Sequence, residues 1–356
     1  MARVAIIGAG LAGLCAAHRL TRLRHSVLVL EREPRLGGQI HTERSQGYVV
    51  ELGAEGYVAR SEAMLKLARE LGIEAELVGQ THTQSLGFRG GQLQVLAPGE
   101  SASLLGFQVA KADLGVGIRS LRGGMSALIS SFEQTLASSV EMRTNVRVQH
   151  LERRARGFEI RIQDGGSVTA DRVIVATGAK AASPLLAPMI GPAASDLAKV
   201  TALSNVNVSL AFAREAIPHA LDATGFVVAT DEQIHGARAC VFASSKFAGR
   251  APDGRVNLRV FFRPDPREIK TLSDAAYVSR AREVIERVLG PIGPADASWV
   301  ARWPDALPVF DEPSKEYVAA LEATLKGSGI TLAGSGFHGV GIDGALRSGL
   351  SVDQRL

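Results

Sequence analysis

Apolar and polar positions along this chain fall into short blocks whose period switches between strand and helix. Arg3–Ile7 is an apolar run of strand length, an apolar helix follows to about Leu20, and Ser26–Leu30 reads as a second strand. Tyr48–Leu52 alternates like a strand. Ser61–Leu71 has helical spacing, with Met64, Leu67, Ala68 and Leu71 on one face, Ser61 as cap and Gly72 as stop. Residues 77 to 119 carry the weakest periodicity and several glycines. Gly123–Leu136 returns to helix, with Met125, Leu128, Ile129, Phe132 and Leu136 as its buried stripe. Arg147–Gln163 predicts a hairpin arm, and Ser167–Thr177 holds a strand that stops at Gly178. Asn205–Phe212, Ala239–Ala243 and Val256–Phe262 are further strands. Residues 273–289 form an amphipathic helix with Val278, Ala281, Val284, Ile285 and Val288 in register. Ile330–Ala333 is a last strand, and a closing helix begins at about Gly344.

Alternation at both ends around a β-rich middle predicts an α/β fold. A Rossmann-like nucleotide-binding domain is assembled from separated segments and interrupted by a smaller α+β substrate domain with an antiparallel sheet. The expected division is 1–60, 120–183 and 325–356 for the first, and 61–119 and 184–324 for the second.

The chemistry begins in the turn after the first strand. Gly8, Gly10 and Gly13 give G-x-G-x-x-G, and Glu31 closes the second strand 23 residues after Gly8, near the ~20 expected for a ribose-binding acid. A strand, a tight turn and a helix start aim backbone N–H groups and the positive end of a helix dipole at one spot, which suits a pyrophosphate. Gly8 permits the turn, Gly10 lets a phosphate approach, and Gly13 lets helix and strand pack closely. A second match, Gly334-Ser335-Gly336-Phe337-His338-Gly339, has only 17 residues after it, too few for a strand carrying a ribose acid. The chain therefore predicts one dinucleotide, with the second loop turned to the far end of the same cofactor.

Composition narrows the class. A net charge of +4 with dispersed Lys and Arg gives no nucleic-acid surface. No run approaches the ~18 apolar residues of an integral membrane segment. An N-terminal signal peptide is rejected, because cleavage would destroy the glycine motif. The two cysteines, Cys15 and Cys240, form no C-x-x-C pair, and the eight histidines have no metal-ligand spacing. A cytoplasmic protein without a metal is expected.

Taken together, Gly8–Gly13 with Glu31, LGGQIHTERSQGYVVELGAE at 36–55, LRGGMSAL at 121–128, VIVATGA at 173–179, RWPDALPVF at 302–310 and AGSGFHGVGIDGALRSG at 333–349 resemble the flavin amine oxidase superfamily. LRGGM, the run 241–262 and the GVGI…RSG ending resemble its protoporphyrinogen and coproporphyrinogen oxidases. The resemblance implies FAD, with adenosine at Glu31 and Arg32 and the adenine against the Val146 backbone. It puts the pyrophosphate over Gly8, Gly10, Leu11, Ala12, Gly13 and Gly38. Gln39, Gly53, Ala54, Thr177, Trp303, Gly334, Val340, Gly341 and Ile342 would complete the cofactor site, with the isoalloxazine near Gly53-Ala54, Trp303 and Val340-Gly341-Ile342. With no Cys near Trp303 or the C-terminal loop, the flavin is expected to be non-covalent. Gln39 stands where the family carries Arg, and Ser335 and His338 stand where it carries Asn and Arg.

The implied chemistry is removal of a hydride from a substrate C–H to flavin N5, with O2 as the expected reoxidant. Glu55 falls where the family's substrate-facing Asn or Asp lies and is a candidate proton acceptor or pyrrole ligand. Arg60 is a candidate for a substrate carboxylate and His338 for flavin contact; Lys246 and Arg250 read as turn residues. Three activities fit: a porphyrinogen oxidase, an amine oxidase or desaturase of a specialised metabolite, and a flavoprotein without catalysis. The family's long helical insert, which roofs the substrate and binds membranes, is reduced here to residues 94–119. The small-molecule substrate site is accordingly expected to be open, with a homodimer or protein partner available to complete it.

Overall fold

The computed structural model describes residues 1–59, 61–105, 115–232 and 234–356. Five parallel strands make the central sheet, in the order Val140–Arg143, Ser26–Leu30, Arg3–Ile7, Arg172–Val175 and Ile330–Leu332. Both faces of this sheet are covered, which is why its inner strands are apolar rather than alternating, while the edge strand Val140–Arg143 keeps Glu141 and Arg143. On one face Val4, Ile6, Val27 and Val29 pack with Leu14, Leu128, Phe132 and Leu346 from three helices. On the other, Ala5, Ile7, Leu28 and Val173 pack with Leu185, Leu186, Val318 and Leu321.

The second sheet has seven strands: Ala297–Pro308, Ala202–Ala213, Arg255–Phe262, Ala237–Phe242, Gly225–Val228, Leu86–Arg89 and Gln92–Val95. Its pairs are antiparallel except Gly225–Val228 with Leu86–Arg89, which run parallel. One face carries Val206, Val208, Leu210, Leu258 and Val260 against the helix Asp274–Leu289. The opposite face presents Asn207, Ser209, Asn257 and Arg259, all buried, towards the first domain.

Local caps open two of the amphipathic helices. Ser61 accepts from Met64 N at 3.2 Å and opens Glu62–Glu70; Ser273 accepts from Ala276 N at 3.2 Å and opens Asp274–Leu289. The expected segment boundaries are crossed by packing. Met64, Leu67 and Leu71 belong to the core around the first strand, as do Leu185, Leu197, Val318 and Leu321 on its other side. Residues 77 to 121 contain the short strands Leu77–Gly79, Leu86–Arg89, Gln92–Val95 and Ile118–Leu121 and the helix Glu100–Leu104. Among the described residues no helix is long and apolar enough to cross a membrane.

Candidate functional site

The first glycine turn is built as a cradle. Gly8 has φ +105°, and a Cβ there would lie 2.8 Å from the Ala176 carbonyl oxygen. A Cβ at Gly13 would fall 2.0 Å from the Gly8 carbonyl oxygen, so the helix Leu11–Arg22 can meet the turn only through glycine. Gly10 differs: its backbone is extended and a Cβ would meet nothing within 4 Å. Gly10 is also the helix N-cap, and no side chain caps the exposed N–H groups. The geometry leaves open space and free donors where a pyrophosphate is expected.

Glu31 closes this cradle and is 8% exposed. One carboxylate oxygen accepts from Ala9 N at 2.7 Å and the other from Glu33 N at 2.9 Å. Each oxygen keeps a second lone pair for a ribose hydroxyl. Arg32 is exposed and pairs with Glu33 at 3.1 Å, and Val146 N donates to the Glu31 carbonyl at 2.8 Å, which leaves only the Val146 carbonyl for an adenine. Gly37 and Gly38 form a second turn, joined to the first by Gly37 N donating to Ala9 O at 2.8 Å. Arg35, absent from the expected site, holds that turn by donating to the carbonyls of Leu36, Gly38 and Ile40 at 3.2, 2.7 and 3.1 Å.

At the far end, three side chains of the seven-stranded sheet grip the loop 52–55. Trp303 Nε1 and Asn207 Nδ2 both donate to Leu52 O, at 2.6 and 3.0 Å, and Arg259 donates to the carbonyls of Glu51 and Gly53. Gly53 is required, because a Cβ would lie 1.9 Å from the Gln39 carbonyl oxygen and 3.3 Å from the Trp303 ring. Gln39 donates to Ala306 O at 2.6 Å, across a bulge where Asp305 has φ +49°. Thr177 ends the strand Arg172–Val175 beside Gly8 and Gly334.

The closing helix is Gly341–Leu350, so it begins three residues before the expected Gly344. That start exposes a third G-x-G-x-x-G, Gly339-Val340-Gly341-Ile342-Asp343-Gly344, which repeats the spacing of the first turn, with the helix beginning one position earlier, at Gly341 (φ +68°). A Cβ at Gly344 would lie 2.7 Å from the Gly339 carbonyl carbon, one at Gly341 would meet nothing, and Val340 is 45% exposed as an uncapped N-cap. The loop Gly334–Gly339 instead folds on itself, with Gly336 N donating to Gly339 O at 2.7 Å. These are residues into which a flavin fits: a pyrophosphate cradle with an acid at one end, and a clamped loop beside an uncapped helix start at the other.

The profile of the flavin containing amine oxidoreductases matches residues 84–356, and that of the NAD(P)-binding Rossmann-like domain matches residues 6–71. This chain belongs to the family of flavin containing amine oxidoreductases. It is an FAD-dependent enzyme. Among relatives of this amine oxidoreductase, coproporphyrinogen III oxidase of Propionibacterium freudenreichii is 34% identical over 228 residues, which span 63% of this chain and 42% of that protein. Coproporphyrinogen III oxidase of Bacillus subtilis is 23% identical over 453 positions, covering 97% of this chain and 96% of that one. A 356-residue chain fills 453 positions only with long gaps. The crystal structure assigned to a protoporphyrinogen oxidase from Exiguobacterium sp. 255-15 shares the fold, with TM-score 0.86 at 21% identity over 99% of this chain and 98% of that one.

The candidate catalytic residues of this oxidoreductase are placed differently from expectation. Glu55 is no solvated loop acid: it pairs with Lys246 and, at 3.2 Å, with Arg259. Burial works against its ionised form, but Lys246 and Arg259 prevail and hold its carboxyl down at about 2. So strong an acid makes a poor proton acceptor, while its ionised carboxylate stays able to accept from a pyrrole N–H. His338 commits both ring nitrogens, to Ser348 Oγ at 2.6 Å and Glu322 at 2.7 Å, and braces the loop to two helices instead of offering a nitrogen to a flavin. Arg60 lies outside the described residues. Lys246 ends the short helix Ala243–Lys246 and Arg250 lies in the bend after it, and both are buried: Arg250 lies 3.4 Å from Glu51 and donates to Ser120 Oγ at 2.7 Å. Among the described residues no group of three His, Cys, Asp or Glu could hold a metal ion.

Proposed function

We propose that this flavoenzyme oxidises a porphyrinogen, with coproporphyrinogen III as the first candidate, by hydride removal from a substrate C–H. The observation that supports the substrate most is the end-to-end likeness to a coproporphyrinogen III oxidase, 97% of this chain against 96% of that one. FAD supplies the two-electron acceptor when bound. Gly10, the uncapped start of the Leu11 helix and Glu31 hold its dinucleotide portion, and the clamped Gly53–Ala54 loop, Trp303 and the Val340–Ile342 helix start seat the ring. Trp303, Asn207 and Arg259 fix the height of that loop through the carbonyls of Leu52 and Gly53, so that the substrate C–H meets a rigid surface. Among the described residues no side chain of the site acts as the base; the pyrrole nitrogen stabilises the cation and its proton leaves to water. The protein is read as cytoplasmic, with O2 as reoxidant and a second copy or partner covering the face left open by the short segment 94–119.

The experiment is to mix the purified holoprotein with coproporphyrinogen III, and separately with protoporphyrinogen, in air and follow porphyrin fluorescence. Turnover of either at a rate of about 1 per second or more supports the reading. Fluorescence rising no faster than in a flavin-free control, at any protein concentration, overturns it. The short segment also favours a second reading, a smaller amine or specialised metabolite, which anaerobic bleaching of the flavin by a metabolite panel would reveal.

A further inference from the structure

The charges beneath the Gly53 loop do not cancel. Glu51 and Glu55 bring two negative charges and Lys246, Arg250 and Arg259 three positive ones. Four of these residues are no more than 6% exposed, and the Glu55 side chain is 16% exposed. The surrounding groups do not offset the surplus. Arg44 approaches Arg250 from the surface, where water screens it, and Glu43 is turned to Trp299 Nε1 on the other face of its strand. Two buried donors of the cluster, Arg250 Nη1 and Arg259 Nε, have no hydrogen-bond partner in the protein. An uncompensated buried charge costs several kcal/mol, so it persists where something outside the chain answers it. Arg259 points the surplus at the site: it donates to Gly53 O at 3.2 Å while its guanidinium rests 4.5 Å from the Phe261 ring centroid.

We infer that this buried cluster is a fixed countercharge for the reduced flavin, with the Lys246–Glu55 pair setting its size. The inference rests on the reading that the ring lies against Gly53 and Ala54. A hydride carries two electrons and one proton, so the neutral oxidised ring gains one negative charge and the substrate one positive charge, which the substrate loses as a proton to water. The negative charge stays within the protein and faces a positive surplus of at least one, since burial pushes the Glu51 carboxyl up and can only reduce its negative contribution. Lys246 and Glu55 are positioning residues here, acting through the field and not through contact with the substrate.

The sign of the field provides the test. Glu55→Gln raises the surplus by one, Lys246→Gln lowers it by one, and the double variant restores the parent charge. One unit charge about 10 Å away, at an effective dielectric near 20, changes the affinity for an anion on the order of tenfold. Sulfite, an anion that oxidised flavins bind with loss of their yellow absorbance, is the probe, and the midpoint potential is the second readout. The expected results are binding about tenfold tighter and a higher potential in Glu55→Gln, and binding about tenfold weaker and a lower potential in Lys246→Gln. The double variant should return to the parent values, as should Lys246→Arg. Single variants that move in the same direction, or neither of which moves, overturn the countercharge, since a role confined to holding the loop predicts no opposition of sign. A parent protein that holds no flavin overturns the reading of the site beneath it, which is a separate outcome.

Discussion

The turn at Gly8–Gly13 and the turn at Gly339–Gly344 share one spacing and much of one geometry. In each, the first glycine has positive φ, +105° and +134°, and the third admits the helix by lacking a Cβ; the second differs, since Gly10 is an extended N-cap while Gly341 has φ +68° and is the first residue of its helix. The helices behind them set the two turns apart. The first helix has no acid in its first turn and leads to the strand that ends in Glu31. The second carries Asp343 there, bound to Ser61 and, at 2.6 Å, to Arg347. An acid at a helix start competes with a bound anion. The same six-residue pattern therefore makes a phosphate cradle at one end and a neutral set of donors at the other, and the residues around the glycines decide which.

That difference is broken most severely at the third glycine. Gly13→Ala sets a methyl against backbone oxygen and should cost on the order of 3 kcal/mol or more, while Gly344→Ala should cost about 1–3 kcal/mol. Urea midpoints compare the two, and equal losses would mean that the first turn is not the tighter. Glu31→Ala should come next. It strands two N–H donors and removes the ribose partner, weakening FAD by about 1–3 kcal/mol and lowering stability by a similar amount. Unchanged FAD affinity, measured by fluorescence titration, would leave Glu31 a purely structural acid.

The first turn was legible in the sequence because its strand, glycines, helix and acid are consecutive. So were the helices opened by Ser61 and Ser273, whose caps stand next to their apolar stripes. The strand Ala297–Pro308 was hidden by Pro304, Pro308 and a bulge at Asp305. An edge strand tolerates these because its outer N–H groups need no partner. The helix Ala179–Ile190 was hidden by Pro184 and Pro188. At the C-terminal turn two registers of glycines, Gly334–Gly339 and Gly339–Gly344, fit the spacing equally well; a helix beginning at Gly341 was the missing signal that selects the second. The charge cluster joins Glu51 and Glu55 to Lys246, Arg250 and Arg259, roughly 200 residues apart, and no local pattern announces contacts made only by tertiary packing.

Smaller effects sharpen the second turn. His338→Ala removes two hydrogen bonds and should cost about 1–3 kcal/mol while leaving the flavin spectrum unchanged; a shifted spectrum would return His338 to the ring. Its partner Glu322 gives the smallest effect. Burial disfavours its ionised form, but the hydrogen bond from His338 and the charges of His338 and Arg355 outweigh this and set its carboxyl below the ordinary 4.5. Its contribution is present above that ordinary value and is lost as pH falls through the lowered one. Glu322→Gln should therefore flatten the loss of stability below pH 4.5, and an unchanged acid profile would contradict the sign.

The most direct test of the FAD site is Gly10→Val. Its side chain enters open space, so the flavin-free variant should unfold at the urea concentration of the flavin-free parent, within about 0.5 kcal/mol. The same side chain fills the pyrophosphate cradle, so titration should give one equivalent of FAD bound by the parent and none by the variant. A folded Gly10→Val protein that binds a full equivalent of FAD would contradict the account.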